Sequence, residues 1–310
     1  MQTNQVETGN IISMNPHVKP KLSSFKIFLR IFYLISFVVY FYYLVEGYGY
    51  YKTPYQERPH HEDYRNLRPA GFRSHGFGII GSAMMLFMLL YSFRKRVKAF
   101  RRLGKLSQWL DVHIYFGIMG PLLIILHTSF KVQGLVAVSF WSMIAVALSG
   151  VFGRYLYLQI PRNVRGDEID LNEIEKQEKE LNLVLQQEFN LTEEDLSKIE
   201  TFIPFSYNKS RGLLSIFLTI LKDDIFRSFR YYRIRKKFAR QFNIPSLHIN
   251  QLIKFAEKKS LLHRKLVLLN QVQKLFHYWH IFHKPFAIIM YIIMFVHIGI
   301  AVWLGYTWIS

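Results

Sequence analysis

Among the twelve histidines of this 310-residue chain, two pairs that each fall inside an apolar span share one spacing. His113 and His127 are fourteen residues apart, and so are His283 and His297. On an α-helix, fourteen steps of about 100° return to within roughly 40° of the starting face and rise about 21 Å. Each helix then carries two imidazoles on one face, one toward each side of a membrane. Two such helices facing each other make two opposed imidazole pairs. A neutral imidazole is a strong iron ligand, and an opposed pair fills both axial positions of a b-type haem. The spacing therefore predicts two haems stacked across a bilayer. The inner iron is expected on His113 and His283, the outer iron on His127 and His297.

The surroundings extend that expectation. A macrocycle between helices needs small residues beside it, and Gly120 lies midway between His113 and His127, with Gly117 close by. Gly76, Gly78, Gly81, Ser82 and Ala83 open a second apolar span, and Ala145, Ala147, Ser149, Gly150 and Gly153 mark a fourth. Small residues serve plain helix packing equally well. Propionates call for cations: Arg154, Lys284 and Arg162 at the inner level, Arg73 and Lys131 at the outer one. Cations at these positions also anchor helices at the membrane interface. His75 stands at the outer mouth of its span, either as an interfacial residue, at a quinone pocket or as an alternative outer ligand. His277 and His280 precede His283, and only His280 rivals it, without a partner at the fourteen-residue spacing. His60-His61-Glu62-Asp63 reads as a polar turn, because adjacent residues rarely converge on one ion. Pro121 and Pro285 are candidate bends.

Five spans are long and apolar enough to position these groups: residues 27–45, 76–93, 112–130, 135–160 and 285–308. The fold expected is an all-α membrane protein, with a four-helix haem-binding bundle made by the second to fifth spans. The organisation read is a tail at 1–26, four spans within 27–160, a helical insert at 161–278 and the last span within 279–310. Charge orients them. Arg94, Lys95, Arg96, Lys98, Arg101, Arg102 and Lys105 follow the second span without an acid, so that segment is assigned to the cytoplasm. The N-terminal tail and the insert then lie inside and the C-terminus outside. The third and fifth spans become parallel, which puts His113 level with His283 and His127 level with His297. The opening residues do not read as a secretory signal.

Composition removes other chemistry. The chain has no cysteine, which excludes a thiolate-held iron–sulfur cluster and covalent c-type haem attachment here. A net charge of +19 in so apolar a chain fits positive cytoplasmic segments better than nucleic-acid binding. Gly76-Phe77-Gly78-Ile79-Ile80-Gly81 matches a dinucleotide fingerprint, but it opens an apolar span with no strand before it. Nothing in the sequence points to a flavin or nicotinamide site. The insert reads as helical: an acidic stretch at 167–200 with a helix start at Thr192-Glu193-Glu194-Asp195, then a basic run through Arg227, Arg230, Arg233, Arg235, Lys236, Lys237 and Arg240. Such a run either lies on an anionic membrane or docks an acidic partner. Residues 246–283 are expected to form a helix feeding the fifth span.

On these ligand pairs and spans the chain resembles the di-haem b-type cytochromes: the four-helix haem core of cytochrome b in quinol–cytochrome complexes, and the membrane domain of ferric reductases and NADPH oxidases. The resemblance lies in topology and ligand spacing. It departs from the reductases and oxidases, which carry a C-terminal flavin–nicotinamide domain, and from the quinol complexes, which lack a large insert at this point. It implies an electron-transfer subunit of a membrane oxidoreductase, working between a quinone and a redox protein: a flavoprotein, an iron–sulfur protein or a c-type cytochrome. The competing classes are a histidine-dependent proton or metal-ion transporter and a haem-free membrane scaffold.

Overall fold

The computed structural model describes residues 24–160, 171–189, 192, 212–241 and 246–306. All regular structure among them is helical. The helices are α1 (Ser24–Glu46), α2 (Tyr48–Lys52), α3 (Tyr64–Leu67), α4 (Phe72–Arg96), α5 (Leu106–His127), α6 (Gly134–Gln159), α7 (Leu171–Phe189), α8 (Leu213–Gln241) and α9 (Ser246–Trp303). Five stretches are long and apolar enough to cross a membrane, carried by α1, α4, α5, α6 and the second half of α9. The chain is an integral membrane protein on that pattern. Its many exposed Ile, Leu, Val and Phe side chains on those helices are the surface that lipid would cover. The last two residues of the fifth expected span, 307–308, lie outside the described residues, as do the 1–23 tail, Arg162 and residues 193–195 of the expected Thr192–Asp195 helix start.

The chain divides into two compact units, residues 22–157 with 277–310, and residues 1–21 with 158–276. In the first unit, α4 and α5 make the closest helix pair. A Cβ on Gly81 would sit 3.0 Å from the Gly120 carbonyl oxygen, and one on Gly120 would sit 3.1 Å from Met85. The two glycines let the backbones touch. Gly120, expected beside a macrocycle, is thus occupied with the α4 contact. Near the middle of the bundle, Met85 of α4, Met143 of α6 and Met290 and Met294 of α9 form one buried cluster, with Ile124 of α5 packed against it. Tyr291 donates its hydroxyl to the Met85 carbonyl at 2.6 Å, and Ser139 donates to the Met290 carbonyl at 3.2 Å. Four helices therefore meet around a methionine layer, and Met290 is seven residues from both His283 and His297. Pro121 and Pro285 lie inside uninterrupted helices.

Between α1 and α4 the chain builds a cap at the His127 end. Beyond α5 it turns through Ser129 and Phe130, both left-handed at φ 50° and 61°. Each such residue costs on the order of 1 kcal/mol without a glycine. The cap offsets this. Buried Arg58 donates to the Ser129 carbonyl at 2.8 Å, to the Thr53 carbonyl at 2.9 Å and to the Tyr51 carbonyl at 2.7 Å. Tyr55 donates to the Phe130 carbonyl at 2.6 Å. The Ser129 and Ser74 hydroxyls both donate to the Leu67 carbonyl. The loop is thereby fastened to the ends of two membrane helices. His61 takes part as a polar turn: its Nδ1 accepts the Asp63 amide at 3.1 Å.

In the second unit, Arg264 of α9 is buried between two acids of α8. It reaches Asp223 at 2.7 Å, Asp224 at 2.6 Å and the side-chain amide oxygen (Oε1) of Gln159 at 3.0 Å, while the Gln159 amide nitrogen donates to Asp224 at 2.8 Å. Removing the cation takes Arg264 away from two half-buried carboxylates, of which Asp224 keeps Arg227 at 3.5 Å, a loss on the order of 1–3 kcal/mol. Arg264→Met is accordingly expected to expose residues 158–276 to limited proteolysis about tenfold faster than wild type. Unchanged digestion would show that the network is stability-neutral. The basic run beyond Arg227 falls on side chains outside the described residues.

Candidate functional site: two histidine levels

His113, His127 and His283 are held by their neighbours in a consistent way. At one level, His113 places Nδ1 3.2 Å from the Met88 carbonyl oxygen of α4. At the other, His127 places Nδ1 2.9 Å from the Ser74 carbonyl oxygen. A carbonyl only accepts, so both rings carry their proton on Nδ1 and leave a lone pair on Nε2. His283 sits with Nδ1 2.7 Å from Ser149 Oγ, and Ser149 spends its own proton on the Val146 carbonyl at 2.9 Å. The serine oxygen is then the acceptor, and His283 has the same tautomer. His297 makes no side-chain hydrogen bond among the described residues and is exposed.

His113 lies within electrostatic range of His283, and His127 within range of His297. His280 is a further neighbour of His283. His75 joins the other level, its ring centroid 6.3 Å from that of His127, so three imidazoles gather there.

The packing beneath the rings explains some of the small residues. A Cβ on Gly78 would lie 2.6 Å from His127 Nδ1, so α4 holds that ring only because position 78 is bare. A Cβ on Gly153 would run into the Trp279 indole. That indole stands 4.8 Å from the His283 ring and donates to the Ser149 carbonyl at 2.6 Å. Tyr91 stands 5.1 Å from His113. A Cβ on Gly150 would lie 3.9 Å from the His283 ring, an ordinary contact.

The candidate cations divide. Arg154 forms an ion pair with Asp111 at 3.0 Å, two residues before His113. Lys284 follows His283 and is exposed, and Lys131 is exposed at the other end. Arg73 is paired with Glu46 at 3.0 Å. Sequence reasoning passed over Asp111, although one acid just ahead of a candidate histidine in an apolar span was a signal. It counted Ser149 only as a small residue, and it gave Ser74 and Trp279 no role.

No cluster of three or more His, Cys, Asp or Glu side chains capable of holding a bare ion occurs among the described residues. Comparison with protein families, with curated proteins and with solved structures returned no match to this chain.

Proposed function

We propose that this chain is a di-haem b-type cytochrome subunit that carries electrons across a membrane between a quinone and a protein redox partner. The observation that carries the reading is the shared state of three imidazoles: Nδ1–H given to an oxygen, Nε2 left with a lone pair. This is the outer-shell arrangement that orients a metal-binding histidine and raises its basicity. Neither level presents a side-chain group able to hold a bare ion among the described residues, whereas a porphyrin supplies four nitrogens and asks only for two axial ligands. The donor sets therefore fit haem. His113 and His283 would hold one, His127 and His297 the other. When bound, the irons would supply the one-electron chemistry.

The protein's own residues do the rest. Met88, Ser74 and Ser149 fix ring tautomer and angle. The Arg154–Asp111 pair supplies a cation beside the His113 level that can meet a propionate, and Lys284 supplies a second. The methionine layer fills the space between levels with residues no more than 8% exposed. That layer argues against the transporter reading, because an ion path between the two levels needs polar lining or water. In this proposal the arginine-rich segment after α4 and the 161–278 insert face the cytoplasm, and the C-terminus faces out.

The test is the spectrum and iron content of the purified full-length protein. Reduced b-type bands and about two haems per chain are expected. A folded, colourless preparation would end the proposal and leave the scaffold reading. A colourless preparation that moves protons or metal ions in vesicles would favour the transporter.

A further inference from the structure

An open groove of about 330 Å³ lies on the other face of α4 from His75. Its wall is Tyr43 of α1 with Phe72, Gly76, Phe77 and Ile80 of α4, and its rim is Asn66 of α3 and Arg73. Positions 73, 76, 77 and 80 recur at the three- and four-residue spacing of one helix face. His75 and Gly78 lie on the face turned toward His127. The groove and the His127 level are thus about one helix diameter, on the order of 10 Å, apart.

Its chemistry is split along its length. One end is lined by Tyr43, Phe77 and Ile80 of the α1 and α4 spans; the other is at Arg73, which pairs with Glu46 at the end of α1. Phe72 and Ile80 open toward the lipid-facing surface, being 67% and 43% exposed. Arg73 stacks its guanidinium 5.5 Å over the Tyr43 ring while paired with Glu46. The charge at the rim is therefore balanced, but guanidinium N–H donors and the Asn66 amide remain to be used. Behind them, the Tyr51 hydroxyl is buried without a hydrogen-bond partner among the described residues, within electrostatic range of Arg73. Burial pushes that phenol up to about 12, so it is a neutral donor.

Balanced charge, several donors and an apolar trough opening to lipid select a neutral amphiphile whose head bears acceptors. A phospholipid phosphate would face the Glu46 carboxylate as well as Arg73. A quinone head carries two carbonyl acceptors and no charge, and its prenyl tail suits the Phe72–Ile80 opening. We infer that this groove between α1, α3 and α4 binds a lipid-soluble quinone, with Arg73 and Asn66 donating to its carbonyls. The physiological role of the site rests on the electron-transfer proposal; binding itself does not.

The test uses the detergent-solubilised full-length protein and a decyl-tailed azido-benzoquinone photolabel, with haem bands recorded on the same sample. Saturable labelling of Tyr43 or of residues 72–80 is expected, displaced by unlabelled decyl-benzoquinone and not by equimolar short-chain phosphatidylglycerol. Arg73→Leu should raise the half-saturating concentration about tenfold, the loss of one charge-assisted hydrogen bond. Ile80→Trp, on the lipid-facing wall, should fill the trough and lower labelling by a similar factor without touching the rim. Labelling that maps elsewhere, fails to saturate, or yields equally to the phospholipid would overturn the site. Groove labelling in a colourless sample would uphold the site and sink the cytochrome reading; a sample with haem bands and no groove labelling would do the reverse.

Discussion

Replacing His127 by alanine is expected to halve the haem content, from about two per chain to about one, and to leave the His113–His283 level spectrally intact. The expectation follows from three features. His127 has its own tether, the Ser74 carbonyl at 2.9 Å, and shares no hydrogen-bond partner with His113. The two levels are separated by about 21 Å of helix. The space between them is a buried methionine cluster contributed by α4, α6 and α9. A cavity made at one level therefore has a packed layer to cross before it reaches the other. His283→Ala should give the complementary product, with the His127 level retained. The readout is the pyridine haemochrome ratio together with the reduced spectrum of each variant. Equal loss of both haems from either substitution would mean that the levels are not independent. His75 adds a second arm. With its ring 6.3 Å from His127, it is the one nearby imidazole able to replace a lost ligand at that level. If His127→Ala retains two haems and His75→Ala/His127→Ala retains one, His75 has substituted.

How much of this was legible in the sequence depends on the range of the interaction. The five apolar spans rest on local composition, and they were readable. The expected start of the second span at 76 fell short of the helix start at Phe72, because Phe72, Arg73, Ser74 and His75 read as a polar approach. They are helical because the Arg58-centred cap fastens that end; Arg58 contacts carbonyls at positions 51, 53 and 129, a convergence no local pattern announces. The third span was expected to run to 130, but α5 ends at His127, since Ser129 and Phe130 take left-handed φ. The roles of the small residues were the least legible. Gly78, Gly120 and Gly153 look alike in a sequence. In space one admits a histidine ring, one admits a helix backbone and one admits an indole. What a missing Cβ makes room for is set by the neighbouring helix, whose register is a tertiary property.

That difference yields a selective experiment. Gly78→Ala and Gly153→Ala each add one methyl group, yet they should damage different levels. At Gly78 the added carbon would stand 2.6 Å from His127 Nδ1 and 2.9 Å from its Cγ and Cε1. The ring cannot swing away freely, because Nδ1 is bonded to the Ser74 carbonyl and that serine is bonded to Leu67. Either the ring leaves its tether or α4 moves from α5, and both cost on the order of 1–3 kcal/mol. The expected product keeps the His113–His283 haem and holds the other weakly or not at all. At Gly153 the added carbon meets the Trp279 indole, which is anchored to the Ser149 carbonyl and stands beside His283. Displacing the indole disturbs Ser149, whose hydroxyl orients His283. This variant should keep the His127–His297 haem and loosen the other. Redox titration separates the outcomes, since each variant should retain one midpoint near its wild-type value and shift or lose the second. Gly120→Ala serves as the contrast, because its Cβ would meet Met85 and the Gly81 carbonyl and no histidine. It should lower thermal stability with both midpoints unmoved. If all three variants behaved alike, the histidine rings would owe their placement to general bundle packing and not to the bare positions beneath them.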